Sequence, residues 1–173
     1  MKKLFIIIFI FSLSHFNLAS SNTNISFIDM NKVLSGSKVG SSLLKQLRGL
    51  EEKNMQSFTK TESILKKKEF EIVSQKNILS VEDYKKKIID LKLEVKKYNQ
   101  NRKKTINNIN QKKIENTNAL IQLINPILIE YSNEKSISMI LQKKNLIIGQ
   151  KELDITIDII KLVDKNIKEF KIK

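Results

Sequence analysis

The chain has 173 residues with one Pro, four Gly, no Cys and one His, and its 32 Lys and Arg against 18 Asp and Glu give a formal net charge of +14. Without Cys there are no disulfides and no thiolate metal sites. His15 stands near the start, so everything after it lacks an imidazole for a nucleophile pair, a proton relay or a metal ligand.

Met1-Lys2-Lys3 is positive, Leu4 to Leu13 is apolar apart from Ser12, and small residues follow at Ala19, Ser20 and Ser21. That order is a secretory signal peptide over 1–21, cleaved somewhere after Ala19 to Ser21. The alternative is a membrane anchor. Ten apolar residues make only about 15 Å of helix, half a hydrocarbon core, so an exported soluble chain is expected. Loss of Lys2 and Lys3 lowers the net charge from +14 to +12.

Asn24 to Met30 (Asn-Ile-Ser-Phe-Ile-Asp-Met) alternates and is rich in β-formers, which predicts a strand. A short helical turn over Asn31 to Leu34 ends near Gly36, and Ser37 or Ser41 offers a cap for the helix that follows. Gly36-Ser-Lys38-Val-Gly40-Ser-Ser42 looks faintly like a phosphate loop. It lacks the Gly-Lys-Ser/Thr order and the spacer such loops need.

From about Gly40 to about Asn125 the sequence reads as one long helical hairpin, with no Pro and one internal Gly, Gly49. Leu43, Leu47 and Leu50 lead into Phe58, Leu65, Ile72 and Leu79, which stand seven apart. Tyr84, Ile88, Leu91, Val95 and Tyr98 then alternate steps of four and three. This is the seam of a coiled coil. Ser80 followed by Asp83 resembles a capping box, so the second helix starts there and the tip falls near 77–81. The arm is assigned to 39–119, with each helix roughly 55 to 65 Å long at 1.5 Å per residue. So thin a hairpin cannot form a globular core.

Around Leu120 the chain becomes more apolar and re-enters the body, where Pro126 is expected to kink the helix or start its last segment. Ile137 to Leu141 and Asn145 to Ile148 read as two strands linked as a hairpin through Gln142 to Asn145, with Gly149 ending the pair. Asp154 is the expected N-cap of a final helix carrying Ile155, Ile159, Leu162 and Val163. The basic tail from Lys168 to Lys173 is expected to fray.

Carboxylates are scattered among lysines on helical surfaces, a pattern of solvated ion pairs rather than of catalysis. Neither an enzyme nor a cofactor is expected. The surplus charge sits on the arm, at Lys66, Lys67 and Lys68, at Lys85, Lys86 and Lys87, at Lys96 and Lys97, at Arg102, Lys103 and Lys104, and at Lys112 and Lys113. Coding bias toward A and T is a bland alternative for so much Lys, Asn and Ile. A functional basic surface would attract anionic partners and speed encounter. Arg48 and Arg102 are the only Arg, which argues against specific nucleic-acid readout.

The body, 22–38 plus 120–173, is small and carries few strands with several open edges. A body of that size is marginal alone and must also hold a long lever. Both problems are solved if several copies share one sheet or barrel, with their hairpins leaving from one end and enclosing a space. The expected fold class is α+β: a small β-rich oligomerisation body bearing an antiparallel coiled-coil arm.

Ile25-Ser-Phe27-Ile28-Asp-Met-Asn-Lys-Val-Leu, then the hairpin, then Ile137-Ser-Met139-Ile-Leu141, Leu146-Ile-Ile148-Gly and Leu-Asp154-Ile155-Thr156 together resemble the Skp/OmpH family of periplasmic chaperones. The resemblance covers nearly all of the chain after the signal peptide. Family members commonly carry an aromatic in the second late strand and before the first, where Ile148 and Ser136 stand here. The resemblance implies a homotrimer whose body uses those strand residues and whose three arms grip unfolded outer-membrane proteins without nucleotide. Lysines would then steer acidic clients, and Met55, Phe58, Phe70 and Tyr98 would touch them, unless Phe58 belongs wholly to the seam. Two other readings stay open: a structural envelope coiled coil, and a nonspecific binder of anionic lipopolysaccharide, lipid or nucleic acid.

Overall fold

The computed structural model describes residues 23–172, so the expected signal peptide lies outside the described residues. Strand β1 (Ile25–Ile28) leads into helices α1 (Met30–Gly36), α2 (Lys38–Ser74) and α3 (Val81–Glu134). Strand β2 (Met139–Gln142), two short 3-10 turns (Lys143–Asn145 and Lys151–Leu153) and helix α4 (Thr156–Asn166) complete the order.

The hairpin is α2 and α3, of 37 and 54 residues, or roughly 55 and 80 Å long. Ser37 starts α2 by accepting the Gly40 N–H at 3.2 Å. Ser80 starts α3 by accepting the Asp83 N–H at 3.1 Å, and its hydroxyl donates to Asp83 Oδ2 at 2.7 Å. These are the cap and the capping-box pair that the sequence proposes. Phe58, Leu65, Ile72, Leu79, Tyr84, Ile88, Leu91 and Tyr98 are all half-buried while most of their neighbours are exposed; Val95 alone of the predicted seam is exposed. Cross-arm contacts fix an antiparallel register. Lys113 Nζ lies 2.6 Å from Glu51, Tyr98 Oη 2.6 Å from Glu62, Lys68 Nζ 2.7 Å from Glu94, and Lys87 Nζ 2.8 Å from Gln75. Each step toward the tip on α2 is matched by a step back on α3.

The core sits at the base. Val33, Val39, Leu43 and Leu47 pack against Leu120, Ile124 and Tyr131 of α3 and against Ile155, Ile159 and Val163 at the final helix. Pro126 starts no new segment: α3 runs on through it. Pro126 and Gln122, four residues before it, are both exposed, so water can serve the carbonyl that the ring leaves without a donor. At its end Ile137 N donates to Ser132 O and Ser136 N to Asn133 O, a Schellman cap with Ser136 in the left-handed region at φ 51°.

β1 and β2 pair in parallel, with Ile25 opposite Met139 and Ile28 opposite Gln142. A parallel pair needs a long crossover, and here the crossover is the whole arm. On the other edge of β1, Ile155 N donates to Phe27 O at 3.0 Å.

The second late strand, Asn145 to Ile148, is corrected. Lys143–Asn145 forms a 3-10 turn, and Leu146 to Ile148 joins no ladder. Lys143 bends back because its ammonium bonds Asp154 Oδ2 at 2.7 Å and lies 5.5 Å from the centre of the Phe27 ring. Gly149 closes the same loop; a Cβ there would stand 2.7 Å from Phe27 Cε1. Asp154 also sits one residue earlier than expected. Ile155 holds the cap position, and Asp154 Oδ1 accepts the Thr156 N–H at 3.1 Å from outside it. Nor does the tail stand away from the body. Phe170 and Ile172 pack against the core, while Gln46 Nε2 donates to Phe170 O at 2.9 Å and Gln46 Oε1 accepts the Ile172 N–H at 3.3 Å.

Candidate functional site

The basic residues of the arm divide into two groups. Lys68 is paired with Glu94 and Lys87 with Gln75 across the seam. Arg102 is 3.7 Å from Glu62 and 5.5 Å over the Phe58 ring. Lys66, Lys67, Lys85, Lys86, Lys96, Lys97, Lys103 and Lys104 are exposed and make no ion pair among the described residues. Helical geometry disperses consecutive lysines around the arm instead of gathering them on one face.

The apolar candidates divide as well. Phe58 and Tyr98 meet edge to face at 6.4 Å within the seam. Burial pushes the Tyr98 hydroxyl above its ordinary value, and the Glu62 carboxylate that accepts its proton adds to the rise. Met55 and Phe70 face outward, with Phe70 74% exposed. Sequence reasoning missed a broader feature. Val73, one step off the seam, and Val95, its one exposed member, border an open furrow of about 540 Å³ floored by Leu65, Ile88 and Leu91.

In the body, the Asp154-Ile155-Thr156 stretch is a joint. Thr156 is buried; its hydroxyl donates to Asp154 Oδ1 and accepts the Asp29 N–H at 2.9 Å. Burial alone would raise the Asp154 carboxyl, but hydrogen bonds from Lys143 and Thr156 more than offset it and hold it below the usual carboxylate range. Its hydrogen bond to Asp154 raises Lys143 above its ordinary value. The final helix, the 143–153 loop and β1 are tied at this point.

The outer edge of β2 has no strand beside it among the described residues. Next to it lies a hollow of about 410 Å³ lined by Ile28, Leu128, Ile137, Met139 and Leu141. Ile129 and Met139 are more than half exposed, Ile25 is 39% exposed and Ile148 is 89% exposed, whereas Phe27, Ile28 and Ile155 are buried and Leu146 half-buried. Among the described residues no His, Cys, Asp and Glu gather into a metal-holding group, and no helix is long and apolar enough to cross a membrane.

Hairpin, parallel strand pair and Asp-Ile-Thr joint together define an OmpH-like architecture. The sequence matches the family described as outer membrane protein (OmpH-like) over residues 24–163, and the chain belongs to that family. Its fold is similar to the crystal structure of a candidate outer membrane chaperone (OmpH-like) from Caulobacter crescentus CB15. The TM-score is 0.79 at 12% identity, covering 87% of this chain and 89% of that one. No curated protein matches the chain.

Proposed function

We propose that this chain is an ATP-independent periplasmic holdase that works as a homotrimer and shelters unfolded outer-membrane proteins between its arms. The observation that carries the reading is the arm itself. Two helices of 37 and 54 residues leave a small core, joined by a seam about one side chain wide, and hold unpaired lysines in solvent. Such a surface captures acidic chains fast and holds them weakly. A body over 22–38 and 120–173 and an arm over 39–119 are the working units. The trimer is supported by the open β2 edge and the adjoining apolar hollow. A bare edge of this kind is normally covered or paired. Neither catalysis nor a cofactor belongs to this reading.

One other reading has an observation of its own: the eight unpaired lysines favour a nonspecific binder of anionic lipopolysaccharide or lipid. The experiment is dilution of a urea-unfolded outer-membrane barrel protein into the purified mature chain, without nucleotide, at low and high salt, followed by light scattering. Protection saturating near three chains per client is expected, weaker at high salt. Absence of protection at every ratio from a folded helical sample would refute the holdase.

A further inference from the structure

Near its tip the arm has two unlike faces. On one, the Lys68–Glu94 and Lys87–Gln75 pairs bridge α2 and α3 beside a hollow of about 180 Å³ lined mainly by charged and polar side chains. On the other, the furrow of about 540 Å³ is larger, and apolar side chains from both helices line it. Lys66 and Lys92 stand on its rim with Glu69, and neither lysine makes an ion pair among the described residues. Glu62, at the end nearer the body, is already taken by Tyr98 and Arg102.

We infer that this apolar face, not the polar one, is where a client chain lies, as an extended segment with apolar side chains at alternate positions and acidic groups toward the lysines. The inference rests on the holdase reading and gives its contact a place on the arm. Two arguments fix the occupant. The first is length. Along α2 the furrow runs from Glu62 to Val73, or roughly 16 Å, which an extended chain crosses in about five residues, so about three alternate side chains reach the floor. An outer-membrane strand has that alternation over about ten residues. The second is charge. The unengaged rim is net positive, which suits a carboxylate-bearing segment. The helices have no backbone donors left for it, so contact is through side chains alone. Such binding is weak and tolerant of sequence, as holding without nucleotide requires.

The test uses the full mature chain with exposed positions changed. Val73 and Val95 line the furrow; Ile64 and Leu93 are 54% and 59% exposed and stand on the opposite sides of the same two helices. The probes are a synthetic peptide of about ten residues with alternate valines and two aspartates, and a permutation with its valines contiguous. Val73→Asp and Val95→Asp should each weaken anisotropy-measured binding of the alternating peptide about fivefold or more, the loss of one apolar contact with added repulsion among acids. Ile64→Asp and Leu93→Asp should leave it within twofold, and the permuted peptide should bind more weakly to every chain. A photo-crosslinking residue at Val95 should label the peptide, and one at Leu93 should not; this arm stays informative if an Asp variant loses helicity. Equal weakening by all four variants, or no preference for alternation, overturns the inference. So does labelling between copies at Val95 without peptide, because a second copy would then fill the furrow. If the wild-type chain protects no barrel protein, the holdase reading fails by itself; if it protects and the furrow variants protect equally, only the furrow is wrong.

Discussion

Replacing Asp154 separates the two jobs of its carboxylate. Oδ1 serves the Thr156 N–H and hydroxyl, and Oδ2 serves Lys143. Thr156 is 2% exposed, so Asp154→Ala strands a hydroxyl that water cannot reach, at about 1–3 kcal/mol. The Thr156 N–H lies at the start of α4 and recovers part of its loss through solvent. The Lys143 side chain is half exposed, and solvent screening makes that pair the smaller contribution. The expected total for Asp154→Ala is about 2–3 kcal/mol, or a Tm lower by roughly 5–10 °C for a chain this size. Asp154→Asn keeps an oxygen for both Thr156 bonds and should cost less than about 1 kcal/mol. The assay is thermal unfolding by circular dichroism at pH 7 and one fixed protein concentration, because oligomerisation shifts Tm. An Asn variant as unstable as the Ala variant would refute the reasoning by assigning the joint to the ion pair. Acid supplies a second reading with a fixed sign. The folded state holds the Asp154 carboxyl below its unfolded value. Its contribution is therefore present above the unfolded pKa and is lost as pH falls through the folded one. Wild type and Asp154→Asn should converge in strong acid.

Two glycines of α2 should respond in opposite directions in urea unfolding. A Cβ on Gly40 would press into the Leu34 carbonyl, whose carbon is 2.7 Å away, so Gly40→Ala should lose about 2 kcal/mol or more. Gly49 meets nothing within 4 Å, and Gly49→Ala should gain about 0.5–1 kcal/mol. Ser136 holds a left-handed backbone at φ 51°; Ser136→Gly should gain about 0.5–1 kcal/mol, read as a higher urea midpoint with unchanged slope. A drop in that midpoint would show that the Ser136 side chain does more for the cap than its backbone costs.

The hairpin was legible because its signals are local. A seven-residue spacing, a serine three before an aspartate and a Gly-poor run are each visible within a few turns, and the half-buried seam follows them at every position but Val95. β1 was legible for the same reason. The failures depend on partners distant in sequence. Asn145 to Ile148 has the composition of a strand, yet a strand exists only beside another, and Lys143 and Gly149 are held by Asp154 and Phe27 instead. The tail looks frayed by its lysines, but Gln46 grips its backbone from more than a hundred residues away. The seam spacing includes Leu65, Ile88, Leu91 and Val95 but not Val73, and a linear spacing does not show that Val95 stays exposed and opens a furrow on one side.

The arm's place between two parallel strands also dictates an order of events in folding. Ile25 and Met139 must meet across roughly 110 residues of chain, and closing so long a flexible loop is slow and costly. Once α2 and α3 have zipped from their tip, the ends of β1 and β2 are delivered side by side and the remaining search is short. The lever is thus its own assembly jig: the sheet, and any surface completed by other copies, comes last. Weakening the seam at Leu65 or Ile72 should slow folding, whereas weakening β2 at Leu141 should mainly speed unfolding; stopped-flow rates in urea with the opposite pattern would reverse that order.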